Sequence, residues 1–283
     1  MNKKDITFII TTYRSEKIID ECLKDLPLGC KKIVVENSYN HELKKKLEQN
    51  YFNLDCYIMA DNLGYGKANN FGIKKADTDY VFILNPDTKL TDKKLSEIIE
   101  IIQNQDFAIA APQIIEPNRV YKQNKSNQSF IEVKEVPGMA LILNKNKFQN
   151  NYFDENIFLY LEEIDLCKRI TMKNERIIEL GVQLFHLGGK SHGGEDFEIE
   201  KSKNWHWMWS KFYFNKKYNG YIYSFLLTLP SFIGSFLKFF SYKLFGNKKK
   251  SSQYKMRFLG LLNAYFQKKS HQRPYQKKTK LIF

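Results

Sequence analysis

The stretch Val81-Phe82-Ile83-Leu84-Asn85-Pro86-Asp87-Thr88 restricts the possible folds of this chain more than any other. Consecutive bulky apolar residues without polar alternation suit a strand covered on both faces, as in an α/β sheet layered between helices. Pro86 cannot donate to a ladder and holds Asn85 extended, so the strand stops and Asp87 stands at its carboxyl end. In open α/β sheets that edge gathers helix N-termini and loops, and ligands bind there. A carboxylate in that place can hold Mg²⁺ or Mn²⁺ against a diphosphate, because such cations take oxygen ligands and need few protein carboxylates when phosphate supplies the rest. The plain alternative is an Asx turn leading to the N-cap of the next helix.

The preceding residues repeat this grammar. Ile6 to Thr12 reads as a first strand, and Ser15 as the cap of a helix carrying Ile18, Ile19, Cys22, Leu23 and Leu26. Lys32 to Glu36 reads as a second strand, 40–49 as a helix, and Leu54 to Ala60 as a third strand. The βαβαβ order points to a parallel, nucleotide-binding type of sheet. Next comes Asp61-Asn62-Leu63-Gly64-Tyr65-Gly66-Lys67-Ala68-Asn69-Asn70-Phe71-Gly72, whose glycines permit close backbone approach. A helix starting near Lys67 would aim its amides at an anion, a plain strand-to-helix turn being the other reading. Beyond Asp87 we expect a helix over 91–104, a strand from Phe107 to Ala111, a polar mobile loop over 113–130 and a strand from Val136 to Leu143 that includes Gly138 and Met139.

A second acidic group follows, Glu162-Glu163-Ile164-Asp165-Leu166-Cys167-Lys168-Arg169. Carboxylates in a first helical turn are stabilised by the helix dipole, which suffices for at least one of them. Glu162 and Glu163 point differently, so one can pack or bridge to Arg169 while the other faces a cleft as general base. The apolar run Gly181 to Phe185 then delivers His186 into a glycine-dense segment, within reach of a metal or a phosphate, although a lone histidine is more often structural.

Taken together, Ile9-Ile10-Thr11-Thr12-Tyr13, Val34-Val35-Glu36-Asn37-Ser38, the Asn62 to Gly72 segment, Leu84-Asn85-Pro86-Asp87 and the Glu162 to Arg169 group resemble the inverting glycosyltransferases of family 2, and within them the rhamnosyltransferase-like branch. The match spans residues 6–192. The resemblance implies a GT-A fold, a nucleotide-sugar-binding, Rossmann-like mixed sheet flanked by helices. It implies a donor site of Thr11, Tyr13, Glu36, Asn62, Gly64, Tyr65, Gly66, Asn69, Asn85 and Asp87, and an acceptor border of Gly138, Met139 and Glu162. Asp87 corresponds to the last acid of the family's Asp-x-Asp motif, which holds Mn²⁺ or Mg²⁺ on the diphosphate. Glu163 falls at the catalytic base and His186 at a further metal ligand of some members. Three positions depart from the pattern: Asn85 replaces the first acid, Glu36 stands where Asp is usual, and Glu163 replaces an Asp. The chemistry asks for the same groups without the name, since expelling a nucleoside diphosphate needs a cation on the leaving group and a base for the attacking hydroxyl.

The C-terminal part is of another kind. Residues 201–283 contain 18 Lys and Arg and no Asp or Glu, whereas 1–200 contain 27 basic and 31 acidic residues. We therefore expect a transferase domain over 1–200 and a basic, aromatic-rich helical extension over 201–283. A block of this charge favours a polyanion. Trp205, Trp207, Trp209, Tyr213, Tyr218, Tyr221 and Tyr223 among lysines are what a membrane interface selects. The 20 residues from Tyr218 to Leu237 are uncharged. Yet Ser224, Thr228, Ser231, Ser235, Lys238 and Tyr242 recur at helical spacing, and Pro230 is expected to kink the helix. Amphipathic helices lying in the interface are the preferred reading of this stretch and of 254–266, ahead of burial or spanning, with Lys248-Lys249-Lys250 on anionic headgroups. Cys22, Cys30, Cys56 and Cys167 have no paired spacing, and the apolar run from Ile6 to Thr12 is too short for a signal peptide and has no small-residue cleavage site after it, so reduced thiols in the cytosol are expected. A membrane-seated transferase implies a lipid-bound acceptor. The resemblance agrees: such enzymes act on polyprenyl-diphosphate-linked saccharides in surface polysaccharide assembly, peripheral or monotopic at the cytoplasmic face of the bacterial inner membrane, with no nucleic acid partner. Two competitors are a sugar nucleotidylyltransferase, which would carry a Gly-rich, Arg- and Lys-bearing loop where Thr11-Thr12-Tyr13-Arg14-Ser15 stands, and a non-catalytic polyanion- or membrane-binding protein.

Overall fold

A computed structural model describes residues 1–117, 128–188 and 196–275. The chain divides into two compact units, one of 1–155 with 162–194 and one of 156–161 with 195–283.

In the first unit the strands are β1 (Ile6–Thr12), β2 (Lys31–Glu36), β3 (Leu54–Ile58), β4 (Tyr80–Leu84), β5 (Thr88–Lys89), β6 (Ile109–Ile115), β7 (Phe130–Glu132), β8 (Ala140–Asn144) and β9 (Ile177–His186). They form one mixed sheet in the order β3-β2-β1-β4-β8-β6-β9-β5, with β7 also paired to β9. The half from β3 to β4 is parallel; β8 runs antiparallel to both β4 and β6, while β6 and β9 are parallel. Helices α1 (Ile19–Leu23), α2 (His41–Asn50) and α4 (Asp92–Ile102) share a core with Phe8, Ile10, Phe82 and Leu84. Helices α3 (Tyr65–Lys75) and α5 (Glu162–Met172) share a second core with Ile9, Val81, Ile83 and Leu141. Successive strand residues point to opposite faces, so apolar runs without alternation follow from having both faces covered. This mixed sheet flanked by helices is the architecture the resemblance implied.

Several boundaries differ from expectation, each for a local reason. The first helix does not start at Ser15: its hydroxyl accepts from the Tyr13 amide at 3.2 Å, and α1 begins only after Ile18. α3 starts at Tyr65 behind Gly64, whose φ of +81° suits a residue without a side chain. The third strand ends at Ile58, and Val136 to Met139 lies outside β8. The expected loop over 113–130 is partly strand. β6 runs on through Pro112 to Ile115, because the pairing with β9 shifts register between Pro112 and Gln113, where proline has no amide to offer. Residues 118–127 of that expected loop lie outside the described residues.

The second unit contains α6 (Phe197–Asn219), α7 (Tyr221–Leu244) and α8 (Lys248–Tyr265) around a core of Trp205, Met208, Trp209, Phe212, Leu261 and Ala264. Asp196 caps α6 by accepting from the Glu198 and Ile199 amides. Gly220, at φ +85°, separates α6 from α7, so the uncharged run from Tyr218 is not one segment. At Gly260 of α8 a Cβ would run into the Trp205 carbonyl, so only glycine allows α6 and α8 to approach this closely. Pro230 lies inside α7 without ending it.

α7 has an inverted polarity. Its hydroxyl stripe faces inward, with Ser224 and Thr228 at 0% and Ser235 at 4% exposure, while Ile222 is 75%, Leu226 61%, Leu237 61% and Leu244 84% exposed. The inward hydroxyls are satisfied locally: Ser224 donates to the Gly220 carbonyl, and Thr228 donates to the Ser224 carbonyl and lies 3.1 Å from the Tyr265 hydroxyl. α7 is also the one helix among the described residues long and apolar enough to cross a membrane, by length and composition.

Within the same unit His206 is fully buried against Phe158, its Nε2 donating to the Gln272 carbonyl at 2.7 Å and its Nδ1 taking the Ser270 hydroxyl at 3.1 Å. Burial is the main reason its pKa is pushed down from 6.5 to about 3. Above pH 6.5 the ring is neutral folded or unfolded; below it only the unfolded chain takes the proton, so stability falls toward the folded pKa near 3. The slope from this one group is about 1.4 kcal/mol per pH unit. Chemical denaturation followed by tryptophan fluorescence should therefore show the unit weakening by about 2 kcal/mol between roughly pH 7 and pH 5. The His206→Gln variant should lack that increment. An identical pH slope in the two proteins would exclude this origin.

Candidate active site

The site is built where β4 ends. Asn85 to Thr88 closes a turn, the Thr88 amide donating to the Asn85 carbonyl at 3.0 Å with Pro86 at its second position. The chain then enters β5, and the cap of α4 is Thr91, four residues beyond Asp87. β5 pairs with the end of β9 so that Thr88 lies opposite His186, and the Leu187 amide donates to the Asp87 carbonyl at 3.0 Å. β6 lies on the other flank of β9 with Ile115 opposite Phe185. These two registers put Asp87 and Glu116 at the two nitrogens of His186, Nε2 being 3.0 Å from Asp87 Oδ1 and Nδ1 2.7 Å from Glu116 Oε1. Burial works against a charged ring, yet Asp87 and then Glu116 outweigh it and raise the pKa of His186 above 6.5.

Both carboxylate oxygens of Asp87 and the Nε2 of His186 are buried, and none makes an aligned hydrogen bond within the described residues. Asp87 Oδ1 and Nε2 are at ion-pair distance but off hydrogen-bond alignment. Buried polar atoms without partners are costly, and oxygen plus imidazole donors suit a divalent cation. No trio of His, Cys, Asp or Glu among the described residues is spaced to hold a cation alone. Asp87 and His186 therefore fit a cation whose remaining positions are filled by phosphate oxygens or water.

Glu162 and Glu163 open α5, which the chain enters through two left-handed residues, Tyr160 at φ +71° and Leu161 at φ +69°. Glu162 is buried at 4% exposure with Oε2 unpartnered. Burial first, and then the charge of Glu163, holds its carboxyl well above the usual range; burial likewise raises that of Glu163. Neither glutamate bridges to Arg169. That role falls to Asp165, one turn earlier, at 2.8 Å, and Arg169 also donates to the Asn151 and Tyr152 carbonyls, tying α5 down.

Gly138 and Met139 join the two acidic groups. The Met139 carbonyl accepts from the Asn85 amide at 2.9 Å, and the Gly138 carbonyl from the Tyr65 hydroxyl at 2.5 Å. A Cβ on Gly138 would stand 3.2 Å from Glu163 Cβ, so the bare backbone is what Glu163 packs on. Burial and then the charges of Glu162, Glu163 and Asp87 all act on the Tyr65 hydroxyl, whose pKa is raised well above 10.0. The turn acid and the helix acids thus share one neighbourhood. Beside Gly66, where a Cβ would meet both Phe153 and Glu162, Asn70 clamps Phe153 by donating to its carbonyl and accepting from its amide, both at 2.9 Å.

The remaining candidates form a second cluster at the ends of β1 and β2. The Thr11 hydroxyl donates to Asn69 Oδ1 at 3.0 Å, leaving the buried Asn69 Nδ2 without a partner. Asn62 accepts from the Gly64 amide and so shapes the turn into α3. Tyr13 is half-buried and its amide is held by Ser15. Glu36 is fully buried, and both its oxygens are taken by its own loop, from Ser38 and from the Asn40 amide at 2.7 Å. In this structure it shapes the loop rather than opening onto a ligand. Sequence reasoning missed Glu116, whose only signal was that a strand could continue beyond Pro112.

A model of the family described as Glycosyl transferase family 2 matches residues 7–167. The low-salt glycan biosynthesis hexosyltransferase Agl10 of Haloferax volcanii is 25% identical over 198 residues, covering 61% of this chain and 64% of its own length. The rhamnosyltransferase WbbL of Escherichia coli K12 is 24% identical over 238 residues, 71% of this chain and 89% of its own. The chain thus spans just under two thirds of the first of these relatives. Among solved structures, residues 1–349 of Staphylococcus aureus TarS in complex with UDP-GlcNAc align at a TM-score of 0.55 and 16% identity over 93% of this chain and 92% of that one, which shows a common fold.

Proposed function

Because this chain belongs to the family 2 glycosyltransferases, we propose that it transfers a sugar from a nucleoside diphosphate to a lipid-linked saccharide, inverting the anomeric centre. Enzymes of the family generally use a divalent cation. Asp87 and His186 would hold it here, and when bound it supplies charge neutralisation for the departing diphosphate. Glu163 is the general base. Its carboxylate takes the proton of the acceptor hydroxyl as the oxygen bonds to the anomeric carbon. The bond from that carbon to the diphosphate oxygen breaks on the opposite face, and the electron pair leaves with the nucleoside diphosphate. One displacement needs no nucleophilic side chain. Burial serves the base directly, since a carboxyl raised toward neutral pH is a stronger proton acceptor. Glu162 and Met139 border the acceptor, and Thr11, Asn69 and the Asn62 to Gly66 turn line the donor. The observation that carries this reading is the pair of acidic groups joined by Gly138 and Met139, one with orphaned oxygens and one with a raised carboxyl.

The experiment is a thermal-shift panel of dTDP, UDP and GDP with their sugars, with and without Mn²⁺. The family branch makes dTDP-rhamnose the first donor to try. Stabilisation by one nucleoside diphosphate, increased by Mn²⁺, is expected; no shift with any of them would turn the reading toward a non-catalytic binding protein.

The membrane part of the proposal rests on α7. An apolar face turned outward, a hydroxyl stripe turned inward and lysines at 238, 243 and 248–250 suit a helix lying in the headgroup region of an anionic bilayer at the cytoplasmic face. The full chain should float with vesicles containing anionic lipid. Replacing Ile222, Leu226, Leu237 and Leu244 by Ser should release it, and unchanged flotation of that variant would remove α7 from the contact.

A further inference from the structure

Glu116 does not belong to the acidic groups discussed above, yet it is fixed on His186. Its Oε1 lies 2.7 Å from Nδ1, the shortest polar contact of that ring, and the pairing of Ile115 with Phe185 holds it there. A histidine that ligates through one nitrogen needs the other to carry the proton, and metal-bound histidines almost always give that proton to a carboxylate or carbonyl. The opposite nitrogen, Nε2, faces Asp87 with no hydrogen bond of its own. With the proton on Nδ1, the lone pair of Nε2 is left free beside Asp87, 3.0 Å from Oδ1 but off its line, as a shared third atom would require.

We propose that Glu116 is a positioning residue for divalent-cation binding, fixing His186 in the tautomer and ring orientation that present Nε2 beside Asp87. This rests on Asp87 and His186 being the cation's protein ligands. Gly188 offers a competing arrangement. Its amide lies 3.3 Å from the same Nδ1, and an amide donor there requires the proton on Nε2 instead. The carboxylate is nearer and charged, and it favours the protonated Nδ1.

The test is Mn²⁺ binding to the full chain, without nucleotide, read from the electron paramagnetic resonance signal of free Mn²⁺. Glu116→Ala is expected to weaken Mn²⁺ about 10- to 100-fold, the usual effect of removing such an outer partner. Glu116→Gln keeps an oxygen able to accept from Nδ1 and is expected to bind more tightly than the Ala variant. Two-bond proton–nitrogen correlation spectra of the histidine ring, at alkaline pH where it is neutral, should show Nδ1 protonated in the wild type. Three results overturn the proposal: Mn²⁺ affinity unchanged in Glu116→Ala while His186→Ala weakens it, a ring protonated at Nε2, or a loss in Glu116→Gln as large as in Asp87→Ala, which would mark Glu116 as a ligand. If neither Asp87→Ala nor His186→Ala alters Mn²⁺ affinity, the cation site itself is misassigned. Melting of the Mn²⁺-free variants separates loss of fold from loss of affinity, and the wild-type spectra need no variant.

Discussion

Glu163→Gln is expected to lower kcat by about 10²- to 10⁴-fold, the contribution of a positioned general base, while leaving the nucleotide-induced thermal shift unchanged. Gln keeps the volume and the packing on Gly138 but cannot take a proton. The wild-type rate should decline as pH falls through the apparent pKa of the glutamate pair, which lies above the ordinary range mainly because the two carboxyls are buried. Glu162 and Glu163 titrate as a pair, so the profile reports the pair and the variants make the assignment. Glu163→Gln should lose the acid limb. If Glu162→Gln is the dead variant and Glu163→Gln keeps its rate and its acid limb, the two roles are exchanged.

Asp87→Asn is expected to act on the leaving-group side of the same displacement, with an effect as large. Charge stabilisation on a leaving diphosphate is worth several kcal/mol, which corresponds to about a thousandfold or more in rate. Asn is nearly isosteric, so the turn from Asn85 to Thr88 and the pairing of β5 with β9, which use backbone atoms, should survive. The variant should lose the part of the nucleoside-diphosphate thermal shift that Mn²⁺ adds, and chelation with EDTA should reduce the wild type to the same level. A variant that keeps both its rate and its Mn²⁺-dependent shift would clear Asp87 of this role.

The sheet half that ends in Asp87 could be read from the sequence because its grammar is local. β1 and β4 are apolar runs with polar ends, and Pro86 dates the end of one to the residue. The pairing of that turn with Glu163 was not local, since it runs through the Met139 carbonyl and the bare Cα of Gly138, residues that look like any other strand entry. Glu116 stayed hidden because a proline and a polar stretch read as a loop, whereas a register shift lets the strand pass Pro112. The left-handed Tyr160 and Leu161 carry no residue signal, because bulky side chains ordinarily avoid that region. The α7 stripe was visible as a periodicity, but a periodicity says only that two faces differ. Which face turns inward is decided by partners such as Tyr265, far along the chain.

If α7 rests on a bilayer through its outward apolar face, as proposed, and the acceptor is lipid-linked, concentration takes on another meaning for this enzyme. A catalyst resting on a bilayer and an acceptor tethered in the same bilayer search for each other in two dimensions, while the soluble donor arrives in three. The rate then follows the mole fraction of acceptor among the lipids rather than its amount per volume. Adding inert lipid slows the reaction at constant acceptor, and adding more of the same vesicles leaves each bound enzyme's turnover unaltered.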